Sequence, residues 1–265
     1  MIRLPDGRAL AYAEYGDWRG IPVFHFHGTS SSRLEGRFYD AAAKHHGIRI
    51  IAPDRPGAGG SDRAAHRRIA DWADDVAQLA DQLHVERYFV FGFSGGGPHA
   101  LACGERTPKR VSAVIAINPA VPRDPKYWTE NCPAPMRVLA SLMRNAPGVG
   151  RGLMRLMMKG FTPARLRTPQ GIAKLRRMSP AADQDFLSND QNIAWFIDAM
   201  EEGLRQDADM HNTEGSLFWS ADGWGFDPFK LHVPLICLVG SAEPSITIER
   251  QPPVPSPPGT TSVSP

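Results

Sequence analysis

Ser94 is the residue whose type and surroundings most directly indicate chemistry. It lies in the stretch Gly92-Phe93-Ser94-Gly95-Gly96, a G-x-S-x-G pattern. Glycines beside a serine permit a turn too sharp for larger side chains, and such a turn exposes the hydroxyl as a nucleophile next to backbone N–H groups that stabilise an oxyanion. The simpler alternative is a glycine-rich turn that only packs a helix against a strand, because short patterns of this kind also occur by chance.

The residues on either side of this turn predict a strand before Ser94 and a helix after it. The segment 88–91 is apolar throughout, as in a parallel strand buried on both faces, and 98–103 has helical character. Two short strands are expected between 3 and 15, buried strands at 21–26, 48–54, 111–120 and 232–240, and helices around 38–44 and 69–84. Strands that alternate with helices imply a mostly parallel sheet flanked by helices, an α/β fold.

The overall composition fits one α/β domain with an insertion. The chain has 265 residues, 42% of them hydrophobic and 22% charged, with a formal net charge of +2. That charge is too small to favour nucleic acid as a partner, and the three cysteines form no C-x-x-C pair that would indicate a zinc site. No apolar stretch reaches the length of a membrane span. We therefore expect a cytoplasmic location, no metal and no membrane span.

The insertion is predicted over 122–221, where helical fragments are broken by prolines. Its residues 131–182 carry ten Lys or Arg and no acid, whereas 183–227 carry eleven Asp or Glu and only Arg205 as a base. The two halves either pack against each other or leave a basic surface for an anionic substrate or lipid headgroups. We therefore predict a core formed by 1–121 and 222–247, a helical cap at 122–221, and a disordered, irregular Pro-rich tail at 248–265.

Four motifs occur in the order and spacing of the α/β-hydrolase family: "HFHGTSS", "DRPGAGGSD", "GFSGGG" and "VPLICLVGSAEP". The chain resembles the cap-bearing serine hydrolases and esterases of that family over residues 1 to about 247. The resemblance implies that Ser94 is the nucleophile and that the backbone N–H groups of Thr29 and Gly95 form the oxyanion hole. His27 and Gly28 are expected to shape the loop that carries Thr29. No cofactor is implied, and the expected partner is a small-molecule acyl substrate.

The resemblance also nominates Glu243 as the catalytic acid, with a solvated loop carboxylate as the simpler interpretation and Asp124 as an alternative position. The family's base is a histidine downstream of the acid, but no histidine follows His232 in this sequence. Three explanations stay open: a truncated or altered reading of an active hydrolase, a non-catalytic relative that keeps its pocket, or an unusual base such as His211. The sequence therefore predicts a serine hydrolase with impaired turnover, or alternatively a ligand-binding or interaction protein. It leaves the substrate and the oligomeric state undetermined.

Overall fold

The computed structural model of the chain describes residues 1–120, 134–206, 210–219 and 223–239. Its strands are β1 (Ile2–Arg3), β2 (Ala9–Leu10), β3 (Tyr12–Gly16), β4 (Ile21–Phe26), β5 (Ile48–Pro53), β6 (Tyr88–Phe93), β7 (Val111–Ile117) and β8 (Leu235–Leu238). Its α-helices are α1 (Asp40–His45), α2 (Trp72–Gln82), α3 (Gly97–Arg106), α4 (Ala134–Asn145), α5 (Pro147–Met158), α6 (Pro163–Leu166), α7 (Pro169–Met178), α8 (Gln184–Ser188), α9 (Asp190–Gly203) and α10 (Met210–Trp219). Short 3-10 helices span Arg33–Tyr39, Ile69–Asp71, Ser94–Gly96, Ala181–Asp183 and Pro228–Lys230.

The main sheet has six strands in the order β3-β5-β4-β6-β7-β8. Strand β3 runs antiparallel to β5, and the other four neighbouring pairs are parallel. The predicted fold class, a mostly parallel sheet flanked by helices, is confirmed. The carboxyl ends of β4, β5 and β6 therefore lie side by side, and the segments that follow them meet at one edge of the sheet.

The prediction of two strands between residues 3 and 15 is wrong in number, because the structure has three. The pair β1–β2 forms a separate antiparallel hairpin, and β3 joins the main sheet. Ala11 separates β2 from β3, and its backbone N–H donates to the hydroxyl of Ser61 at 2.9 Å. That hydrogen bond takes the place of a strand partner, so the ladder is interrupted at Ala11.

The centre of the core lies between β4, β6 and α2. Phe24, Phe26 and Val90 are fully buried, and Phe26 packs edge-on against Trp72 with ring centroids 5.5 Å apart. Each large apolar side chain buried in this way contributes about 1.5–3 kcal/mol to folding. The predicted amphipathic helix is present, with its first turn, Ile69–Asp71, in the 3-10 conformation. These contacts fix β4 and β6, which lead into the two loops of the candidate site.

Helices α4 to α10 lie between β7 and β8 in the chain and have an apolar cluster of their own. Its buried members are Leu166, Leu187, Ile193, Ile197 and Met200. Helix α9 also contacts the sheet-bearing part, because Arg33 pairs with Glu202 at 2.7 Å. The division into core and cap stays a prediction. The tail predicted at 248–265 lies outside the described residues.

The acidic half of the inserted helices forms two kinds of ion pair. Arg167 pairs with Asp198 and Glu201, and Arg176 pairs with Asp190, so the basic half contacts the acidic half on the surface. Glu202 instead pairs with an arginine of the sheet-bearing part, as does Glu214, described below. The acidic half therefore contacts both the basic half and the sheet-bearing part.

The longest helix in the described parts of the chain is α9, with 14 residues. None of the helices described there is both long and apolar enough to cross a membrane.

Candidate active site at the carboxyl edge of the sheet

Ser94 occupies the turn between β6 and α3. Its φ angle is +49°, in the left-handed region that non-glycine residues seldom adopt. The turn is also tight: a Cβ on Gly96 would lie 2.7 Å from the carbonyl carbon of Phe26 and 2.9 Å from the carbonyl oxygen of His27. Only glycine therefore fits where α3 begins to pack on the end of β4. Ser94 itself is half-buried.

Gly95, the next residue, lies against Thr29 of the loop after β4. A Cβ on Gly95 would lie 3.1 Å from the backbone nitrogen of Thr29 and 3.3 Å from the ring of Phe218 in α10. The two predicted oxyanion donors, the amides of Thr29 and Gly95, thus belong to backbone segments in contact. An aromatic side chain of the inserted helices borders the same place.

The peptide that contains the Gly95 N–H is held by hydrogen bonds to its carbonyl. The carbonyl oxygen of Ser94 accepts from the backbone N–H of Gly97, and also from that of Ala120 at 3.2 Å. In a planar trans peptide the N–H points away from the C=O. Fixing the Ser94 carbonyl therefore fixes the direction of the Gly95 N–H.

His27 is fully buried, and both ring nitrogens have partners. The backbone N–H of Arg55 donates to Nε2 at 3.2 Å, so Nδ1 carries the proton and donates to the carbonyl of Gly28 at 2.8 Å. Burial, together with the Arg55 charge, lowers the pKa of His27 well below its ordinary value. The ring is neutral and ties its own loop together.

His99, in the first turn of α3, has a similar environment. Its Nδ1 lies 2.9 Å from the carbonyl oxygen of Gly95, and its Nε2 lies 3.4 Å from Nη1 of Arg67. Because arginine only donates, Nε2 is the acceptor and Nδ1 the donor. Burial and the charges of Arg55 and Arg67 lower the pKa of His99 well below its ordinary value. Neither histidine presents a free ring nitrogen to Ser94.

The acid and base positions expected from the sequence are only partly described. Glu243 and its alternative Asp124 lie outside the described residues. The last described strand, β8, ends at Leu238, and His232 is exposed just before the strand begins. The backbone of His211 lies in α10. The described part of the chain contains no group of three His, Cys, Asp or Glu side chains that could hold a metal ion.

Three charged residues at the site were not predicted from the sequence: Glu35, Arg55 and Glu214. The Glu35 carboxylate accepts from the backbone N–H of Gly28 at 3.0 and 3.2 Å. Arg55 and Glu214, both with fully buried side chains, form a two-point ion pair at 2.6 and 2.8 Å. Arg55 directly follows Asp54, just after the buried strand β5, which neighbours β4. That position in the sequence could have indicated that Arg55 lies at the site.

Comparison with known proteins decides the family. A model of the alpha/beta hydrolase fold family matches residues 21–211. The chain belongs to this family. This α/β hydrolase is 30% identical over 128 residues to an uncharacterized hydrolase, YcgS, of Bacillus subtilis, covering 46% of this chain and 44% of the relative. It is 32% identical over 123 residues to a non-heme chloroperoxidase of Streptomyces lividans, with the same coverage of 46% and 44%. Each match spans less than half of the relative's length.

Solved structures of the same architecture cover more of the chain. A structure from a study of carboxylesterases of Nitrososphaera gargenis has a TM-score of 0.60 at 16% identity, covering 91% of this chain and 79% of that one. The enol-lactonase of Burkholderia xenovorans LB400 has a TM-score of 0.58 at 19% identity, covering 89% and 79%. Likeness at these identities shows the fold alone, so the activity of this α/β hydrolase has to be argued from its own site.

Proposed function

We propose that this α/β hydrolase acts on a small ester or related acyl substrate through an acyl-enzyme on Ser94. The observation that carries the proposal is the left-handed turn that presents Ser94 while Gly95, the next residue, lies in contact with the Thr29 loop. A nucleophilic hydroxyl and two neighbouring backbone amides are two of the elements that acyl transfer requires, beside a base.

In the proposed reaction the Ser94 oxygen bonds to the acyl carbon and gives its proton to a base. The carbonyl oxygen becomes an oxyanion beside the amides of Thr29 and Gly95, and the alcohol takes a proton and leaves as its bond to the acyl carbon breaks. Water then attacks the acyl-enzyme in the same manner and releases the acid. Preorganised amides of this kind typically contribute about 100- to 1000-fold each to the rate.

We propose Glu243 as the acid that would orient the base. No histidine follows Glu243 in these 265 residues, and we propose that turnover by these residues alone is slow. Loss of one member of a catalytic triad lowers turnover by about 10⁴- to 10⁶-fold.

The second candidate is a ligand-binding protein without catalysis. The engagement of His27 and His99 favours it, since both rings are buried and bonded to backbone at the site. Such a protein would bind a small acyl compound beside Ser94 without forming a covalent bond.

Labelling with a fluorophosphonate separates the two candidates. The reagent forms an oxygen–phosphorus bond with an activated serine and loses fluoride, while the serine proton passes to the base or solvent. We expect one label per chain, abolished by Ser94→Ala and unchanged by Ser141→Ala, which removes an exposed serine of α4. No label on the folded wild-type chain would support the binding protein.

A further inference from the structure

Arg55 contacts the loop that carries Thr29 from inside the protein. Its guanidinium donates to the carbonyl of Gly28 at 3.1 Å and to the carbonyl of His27. The same guanidinium holds the carboxylate of Glu214 in α10. One buried cation therefore joins the oxyanion-hole loop after β4 to a helix of the insertion.

The Gly28 carbonyl and the Thr29 N–H belong to the same peptide unit. Because that unit is planar and trans, a donor that fixes the C=O also fixes the direction of the N–H. A cation at the carbonyl oxygen further polarises the amide, and hydrogen bonds in such a chain strengthen one another. Arg55 therefore acts at the far end of the peptide that carries the Thr29 N–H.

Other groups reinforce this arrangement. The Gly28 carbonyl also accepts from Nδ1 of His27 at 2.8 Å and from the backbone N–H of Ser31 at 3.2 Å. On the other side of Gly28, the carboxylate of Glu35 accepts its N–H. Gly28 is thus held between an anion and a cation, and within this set Arg55 forms an ion pair with the inserted helices through Glu214.

We infer that Arg55, anchored by Glu214, is a positioning residue that orients and polarises the Thr29 N–H as an oxyanion donor. The inference rests on the proposed function for its effect on reactivity. The state of the Gly28–Thr29 peptide can be measured without any activity.

The primary test is NMR of that peptide. Chains labelled with ¹³C-carbonyl glycine and ¹⁵N-threonine give a correlated signal only for Gly-Thr pairs, of which the sequence has two, 28–29 and 259–260. Thr260→Ser removes the second signal and so assigns the first. We expect Arg55→Met to move the Gly28 carbonyl and Thr29 amide resonances in the direction of a weaker hydrogen bond to the carbonyl.

We expect Arg55→Lys to move the same resonances less than Arg55→Met does, because the ammonium keeps the positive charge. A shift remains, because one ammonium cannot bind Glu214 and two carbonyls at once. The matched control is Arg33→Met. Arg33 also bridges the sheet-bearing part and the inserted helices, pairing with Asp54 at 2.5 Å and Glu202 at 2.7 Å, and no hydrogen bond joins it to the Gly28 peptide. We expect Arg33→Met to leave the peptide signal in place. If Arg55→Met does not fold, Arg55→Lys decides.

Fluorophosphonate labelling of Ser94 is the second readout. We expect the labelling rate to fall at least about tenfold in Arg55→Met, less than the loss from removing a donor outright, and to recover partly in Arg55→Lys. Unmoved resonances in both variants overturn the inference, as do moved resonances with labelling at the wild-type rate. If the wild type itself does not label, the proposed hydrolase activity fails, and the peptide resonances alone decide whether Arg55 holds the donor.

Discussion

Glu214→Gln tests the energetic weight of the buried ion pair. The substitution keeps the size of the side chain and removes the charge, so Arg55 loses its two-point partner. Arg67, whose Nη2 lies 3.6 Å from the same carboxylate, loses its counter-charge as well. Both arginine side chains are almost fully buried, at 0% and 7% exposure. Water cannot compensate for the missing anion.

The expected loss is about 3–5 kcal/mol, the usual cost of removing one partner of a buried pair. For a chain of this size each kcal/mol lowers the melting temperature by about 2–4 °C, so the predicted decrease is about 6–20 °C. Circular dichroism during thermal unfolding at neutral pH measures it.

Glu201→Gln is the matched control. Glu201 pairs with Arg167 at 2.5 Å, a distance as short as that of the buried pair, but the two side chains are 60% and 46% exposed. An exposed pair contributes about 0–1 kcal/mol, so the control should melt within a few degrees of the wild type. A melting temperature for Glu214→Gln as close to the wild type as that of Glu201→Gln would refute the reasoning.

Two further predictions concern packing and pH. Gly96→Ala should lower the free energy of unfolding by about 1–3 kcal/mol or more, because the new Cβ would meet the backbone of Phe26. The control Gly148→Ala in α5 has open space around it and should be neutral or stabilising. Urea unfolding compares the two variants, and equal midpoints would contradict the turn geometry. The folded-state pKa values of His27 and His99 lie below the unfolded value of 6.5, so the unfolded chain binds more protons as pH falls through 6.5. The contribution of the two rings to the free energy of unfolding should therefore be fully present above pH 6.5. Below that pH the free energy of unfolding should fall by up to about 1.4 kcal/mol per pH unit for each histidine. Unfolding free energies that stay constant from pH 7.5 to 5.5 would show that these rings are not held neutral.

The sheet and the Ser94 turn could be predicted because their signals are local. Apolar runs such as 88–91 specify buried strands, and the glycines around Ser94 specify a turn that other residues cannot enter. The pairing of Thr29 with Gly95 came from the resemblance to the α/β-hydrolase family, and it agrees with parallel strands that end at one edge of the sheet. The extra strand at the N-terminus was missed because a single hydrogen bond from the backbone N–H of Ala11 to the hydroxyl of Ser61 interrupts the ladder there.

The buried charges could not be predicted in the same way. Arg55 and Glu214 are 159 positions apart, and nothing in the sequence near either residue specifies the other. Glu214 is also one of eleven acidic residues spread over 183–227. Most of these would be expected to face solvent or the basic half of the insertion. Glu214 becomes the partner of a buried arginine only because α10 lies beside Arg55, which follows β5.

The most direct test of the central claim is a crystal structure of the chain after reaction with a fluorophosphonate. We predict phosphorus bonded to the Ser94 oxygen, with the phosphoryl oxygen about 2.7–3.1 Å from the backbone nitrogens of both Thr29 and Gly95. A phosphoryl oxygen directed away from these two amides, or an adduct on a different residue, would contradict the account.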